Sequence, residues 1–96
     1  MTITILASAR DDLADGFDFY EDQQAGLGSY FLESLFSDLD SLKLYAGIHR
    51  KSFGFHRLLS KRFPYAVYYT VEAGGMRVSA VLDCRRDPAW IRKPLG

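Results

Sequence analysis

The sequence predicts an α+β fold: an N-terminal strand, an antiparallel helix hairpin, then a three-stranded antiparallel meander, in the order β-α-α-β-β-β. Three observations predict it. Two amphipathic helical stretches are separated by the short two-glycine segment QAGLGS (24–29). After Gly47 the apolar period changes from 3.6 to 2. Helices run together before strands run together, which marks a sheet covered on one face rather than alternating βαβ units.

Each element has its own signal. Thr2 to Ala7 is rich in β-branched residues and alternates weakly, as a strand does. Ser8 stands where an N-cap would, and Asp11 and Asp12 follow at the positive end of the helix dipole. Leu13, Phe17, Tyr20 and Gln24 then recur at helical spacing, with Asp11, Asp12, Asp15 and Asp18 on the outer side. Gly16 interrupts this stripe, where glycine costs about 1 kcal/mol relative to alanine. The second helix is expected over 29–45, with Leu32, Leu35, Phe36, Leu39 and Leu42 as its stripe, Phe31 on the flank and Gly47 near its C-cap.

The sheet begins with a strand expected over 54–60. From Phe63 to Val71 the odd positions are Phe63, Tyr65, Val67, Tyr69 and Val71, which predicts a core face. Pro64 suits a strand start, where a missing N–H is tolerated. Ala73-Gly74-Gly75 predicts the hairpin turn. Met76, Val78, Ala80, Leu82 and Cys84 alternate with Arg77, Ser79, Val81, Asp83 and Arg85, predicting a last strand with one apolar face. Asp87-Pro88 stops it, and residues 89–93 could form a helical turn.

Composition limits the function. Ninety-six residues make one domain, residues 1–96, and apolar residues at 48% and aromatics at 15% support a folded core. No apolar run reaches the ~18–20 residues of a membrane span. MTITILAS lacks the basic start of a signal peptide and reads as a strand. One cysteine, Cys84, excludes an internal disulfide and suits a reducing cytoplasm. His49 and His56 lie seven apart without a ligand pattern, so neither a metal nor another cofactor is expected. There is no phosphate-loop glycine pattern.

Charge is informative. Residues 1–46 hold nine acids and two bases, whereas residues 47–96 hold ten bases and three acids. Three acids cannot neutralise ten bases locally, so a positive field should survive on the second half and favour an anionic target. Arg57, Lys61, Arg62, Arg77, Arg85 and Arg86 are its candidate carriers. Guanidinium groups bind phosphate bidentately, and Tyr68, on the non-core parity of its strand, could stack a base beside them.

The order of elements, together with HRLLSKRFPYAVYYTVE, a glycine turn and VSAVLDCRRDPAW, resembles the RelE/ParE superfamily of bacterial toxins over essentially the whole chain. The pieces that carry this are Arg57-Leu58, Phe63-Pro64-Tyr65 with Tyr68-Tyr69, and Val81-Leu82 followed by Arg85-Arg86-Asp87-Pro88. The resemblance implies a toxin of a type II toxin–antitoxin system, of the plasmid-stabilisation kind, held inactive by a cognate antitoxin that wraps over it. Operator DNA would be bound through the antitoxin. The first expectation this carries is growth arrest by RelE-like, ribosome-associated mRNA cleavage without a metal; the alternative is ParE-like inhibition of DNA gyrase without nuclease activity. A member that has lost activity is the third alternative.

Carried onto this chain, the RelE-like pattern makes Arg57 and Arg85 the catalytic candidates, with Lys61, Arg62, Tyr68, Arg77 and Arg86 binding the target. Leu59 and Ala66 stand where that pattern has a second lysine and an arginine, and Ile91 where it has a tyrosine. The antitoxin is expected on the basic sheet or along the helix hairpin.

Overall fold

The computed structural model describes residues 2–45, 48, 51–52 and 54–85. Its elements are β1 (Thr2–Ile5), α1 (Ala7–Gln23), α2 (Leu27–Tyr45), β2 (Lys51–Ser52), β3 (Phe55–Leu59), β4 (Tyr65–Glu72) and β5 (Gly75–Asp83). The strand, helix pair and antiparallel meander stand in the expected order, with the two-residue β2 added. Strand order across the sheet is β1-β5-β4-β3-β2. β1 lies parallel to β5, with Ile3 opposite Met76 and Ile5 opposite Val78. All other neighbours are antiparallel.

The helix hairpin depends on glycine. A Cβ on Gly16 would come within 2.5 Å of the Phe31 ring, and one on Gly28 within 2.7 Å of the Phe17 carbonyl oxygen. These two positions let α1 and α2 approach closely. Between the helices Gly26 takes a φ of +89°, the left-handed conformation that glycine adopts without strain. The Glu21 carboxylate reaches across this turn and accepts the Gly26 and Gly28 amides at 2.9 Å each. It satisfies amides at the start of α2 that have no partner within the helix.

Two helical expectations are corrected. Ser8 is not the cap of α1. The helix starts at Ala7, Leu6 occupies the cap position without a side-chain bond, and Ser8 Oγ donates to the Ser79 carbonyl at 2.7 Å. In α2 the buried stripe is Phe31, Leu35, Leu39 and Leu42, while Phe36 is 47% exposed. Beginning at Leu27, the helix turns Phe31 to the core, and Leu32 and Phe36 swing round to a groove against α1. Likewise Ala9, Leu13, Gly16 and Tyr20 form the buried side of α1, and Gln24 falls beyond its end.

The main core lies between helices and sheet. It joins Leu13, Tyr20, Phe31, Leu35, Tyr65 and Val67 among others; Tyr65, Val67 and Tyr69 of the predicted odd face supply its sheet side, whereas Val71, near the end of β4, is 46% exposed. Tyr20, Phe31, Phe63 and Tyr65 pack with ring centroids 4.9–6.2 Å apart. Such contacts add to the area buried by each ring. Pro64 precedes β4, and although it has no donor its carbonyl accepts the Cys84 amide at 2.7 Å, prolonging the ladder.

The last strand departs from simple alternation. Tyr69 opposes Val78 but Tyr68 opposes Ala80, so Ser79 is an extra residue on β5. This β-bulge changes the facing of everything after it. Met76, Val78 and then Val81 belong to the main core, whereas Ala80 and Leu82 join Ala66 and Tyr68 in a second cluster on the opposite sheet face, with Phe55 and Cys84 beside it. The expectation that Met76, Val78, Ala80, Leu82 and Cys84 share one face is therefore wrong. A count of two cannot register an inserted residue.

The backbone groups around the bulge are taken up by α1 and its entry. Leu6 N donates to Val78 O at 3.0 Å, Ser8 to Ser79 O, and Val81 N to Asp12 Oδ2 at 2.9 Å. Residues 46–47, 49–50, 53 and 86–96 lie outside the described residues, and with them the expected Gly47 cap, the Asp87-Pro88 stop and the helical turn at 89–93.

Candidate target-binding surface

Arg57 is placed by strand register. It opposes Tyr68, and Tyr68 opposes Ala80, so all three share the sheet face away from the helices. Its guanidinium is held by two neutral groups. Nε donates to the Tyr68 hydroxyl at 3.1 Å, and Nη2 donates to Cys84 Sγ at 3.3 Å. Burial opposes its charge, but the Tyr68 bond and the attraction of Tyr68 and Cys84 outweigh this and raise its pKa. Arg57 thus keeps its positive charge, with no carboxylate partner among the described residues, in a half-buried setting where screening by water is reduced.

Lys61 and Arg62 follow on the exposed turn between β3 and β4. Neither has a carboxylate partner among the described residues. The turn is closed by Ser60 N donating to Tyr65 O at 2.9 Å, and Tyr65 N donating to Phe63 O at 2.8 Å.

The other cations differ. Arg77 lies near the opposite end of β5 and pairs with Glu72 at 3.4 Å. Arg85 is bound by one carboxylate three times: its amide and Nε donate to Asp83 Oδ1 at 2.9 and 3.0 Å, and Nη2 donates to Oδ2 at 2.8 Å. These bonds hold its pKa above the usual value, with smaller contributions from Tyr20 and Tyr65. Asp83 has the parity of Val81, so Arg85 is drawn toward the helix side of the sheet. Arg57 thus reaches Cys84, while the guanidinium of the next residue, Arg85, is turned to Asp83. Arg86 lies outside the described residues.

Tyr68 is 1% exposed. Its ring packs in the second cluster, and the Arg57 guanidinium carbon lies 6.0 Å from its centroid. What the structure gives it is a hold on Arg57; a base cannot stack on a ring this deeply covered. Cys84, expected on the apolar face of the last strand, is half-buried and touches Arg57. Burial raises its pKa and favours the thiol, an effect partly offset by Arg57.

Asp83 and Glu72 were legible as partners, since each lies within reach of its arginine on one strand or across one turn. The link from Cys84 to Arg57 was not, because it depends on the bulge. Depressions lie elsewhere, among them a cavity and a groove beside α1. A cavity of about 160 Å3 between α1 and β5 is lined by Asp12, Asp15, Phe19, Tyr65 and Asp83. A more open groove of about 380 Å3 between α1 and α2 is lined by Leu13, Ala14, Phe17, Leu32 and Phe36, with Arg10 and Asp18. No group of three metal-ligating side chains occurs among the described residues, and no described helix is long and apolar enough to cross a membrane.

The fold has a solved counterpart. A chain of the chromosomal ParDE TA system from P. aeruginosa superposes with a TM-score of 0.71, over 84% of this chain and 92% of that one, at 16% sequence identity. The likeness is one of fold. No family model matches the sequence, and no curated protein matches it.

Proposed function

We propose that this chain is the toxin of a type II toxin–antitoxin pair, acting in the cytoplasm, and that it arrests growth by occupying its target, DNA gyrase, rather than by cutting mRNA on the ribosome. The toxin reading is supported by the fold shared with a ParDE chain along nearly the whole length, together with the sequence resemblance. What supports the binding reading is that the Arg85 guanidinium is engaged by Asp83, whereas the Arg57 guanidinium is held by neutral groups.

Cleavage by 2′-hydroxyl attack needs a proton acceptor, a proton donor and charge stabilisation converging on one phosphate. Here Arg85 is committed to Asp83 on the helix side. The Tyr68 hydroxyl is engaged by Arg57, and His56 stacks on Tyr69 at 5.2 Å on the core face. What Arg57, Lys61 and Arg62 offer is a set of cations with no carboxylate partner among the described residues, suited to gripping an anionic surface. The antitoxin fits the groove between α1 and α2, whose apolar walls match one face of an amphipathic helix.

Pulse labelling after induced expression in a bacterium tests this. Thymidine incorporation should fall before amino-acid incorporation, and purified protein should block supercoiling by gyrase in vitro. Amino-acid incorporation failing first would replace the binding reading with ribosome-dependent cleavage. Undisturbed incorporation of both, with folded protein present, would overturn the toxin reading.

A further inference from the structure

Asp38 stands in the middle of α2 and is 5% exposed, with no salt-bridge cation among the described residues. A carboxylate taken this far out of water is costly unless hydrogen bonds compensate. Its Oδ2 accepts the Ser60 hydroxyl at 2.6 Å. Ser60 is the residue immediately before Lys61 and Arg62, and its amide closes the same turn on Tyr65. Ser60 is therefore held from two sides, by β4 through its amide and by α2 through its side chain. Beyond the two cations, Phe63 is wedged among Tyr20, Tyr30 and Phe31, with centroids 4.9–5.5 Å away. Lys61 and Arg62 are exposed, yet the chain on each side of them is anchored in the core.

We infer that Asp38 is a positioning residue for the target-binding turn: through Ser60 it fixes where Lys61 and Arg62 stand relative to Arg57. The inference rests on the proposed role of these cations in target binding. Pre-placing charged side chains removes the ordering cost that a mobile turn would incur when it engages a partner. The role needs an acceptor at Oδ2 and does not need the negative charge, which distinguishes it from simple attraction between Asp38 and the cations.

The test compares growth arrest on graded induction for the wild type, Asp38→Ala, Asp38→Asn, Ser60→Ala and Lys61→Gln/Arg62→Gln, with thermal unfolding of each purified protein. Asp38→Ala and Ser60→Ala should each lower potency by about tenfold, as small misplacements of binding groups do. Asp38→Asn, which keeps an acceptor, should restore most of it. Adding Lys61→Gln/Arg62→Gln to Asp38→Ala should cost far less than in the wild type, because the cations are already misplaced. Full additivity, or no rescue by Asp38→Asn at matched thermal stability, would reduce Asp38 to a structural residue and overturn the inference. So would unchanged potency in Asp38→Ala. If Asp38→Ala is too unstable to assay, Ser60→Ala carries the same comparison from the less buried partner. A wild type that arrests nothing refutes the toxin reading itself and this inference with it.

Discussion

The Val81 amide donates to Asp12 Oδ2 at 2.9 Å, fastening the first helix to the last strand two residues beyond the bulge. One turn earlier on the same helix face, Ser8 takes the Ser79 carbonyl. The bulge disrupts the sheet ladder, and α1 satisfies the groups left over, so helix and bulge depend on one another.

This bond makes Asp12 a pH-sensitive position. Burial raises its pKa from the ordinary 3.8 to about 6; the Val81 amide opposes the shift, and Asp15 and Asp11 add to it. A carboxyl whose folded pKa lies above its unfolded value stabilises the fold in its protonated form. That contribution is complete below 3.8 and is lost as pH rises through about 6. Urea unfolding across pH 3.5–7.5 should show wild-type stability falling relative to Asp12→Asn over this window, then running parallel above it. Asp12→Ala, which leaves the Val81 amide unsatisfied, should cost about 1–3 kcal/mol.

Gly16 faces the Phe31 ring at a distance no Cβ tolerates. Gly16→Ala favours the isolated helix by about 1 kcal/mol but overpacks the core. A net loss of up to about 2 kcal/mol is expected in chemical denaturation. A stabilised Gly16→Ala protein would show that the hairpin is packed less closely than found.

The turn between the helices is held by Glu21, which accepts from Gly26 and Gly28. Glu21→Ala should destabilise by about 1–2 kcal/mol, the usual cost of removing a helix cap. Glu21→Gln, which retains an acceptor, should cost less. Thermal unfolding of the two variants checks the order.

Among the basic residues, charge compensation sets the ranking. Arg57 has neutral partners, whereas Arg77 faces Glu72. Arg57→Gln should weaken growth arrest by about tenfold or more, as expected for loss of a charge-assisted bond. Arg77→Gln should change it less than about twofold, since exposed pairs contribute little. Graded induction of both variants reads this directly; equal losses would mean that net charge, not Arg57, carries the binding.

The element order, both helices and the core face of β4 could be read from the sequence, because those properties follow from local periodicity. The helices have an apolar stripe, and Tyr65, Val67 and Tyr69 alternate without interruption. So could the basic character of the second half, which is a matter of composition.

Tertiary structure decided what depends on a partner distant in the chain. The parallel pairing of β1 with β5 is one case, since a short strand carries no mark of its neighbour. The bulge at Ser79 is another. It sends Cys84 to Arg57 and gives Asp83, which binds Arg85, the parity of the core-facing Val81. The burial of Tyr68 belongs here too, because a second cluster on the far sheet face arises from three strands together. Local spacing determines which way a side chain points within its element; which groups meet depends on register, and one inserted residue changes the register.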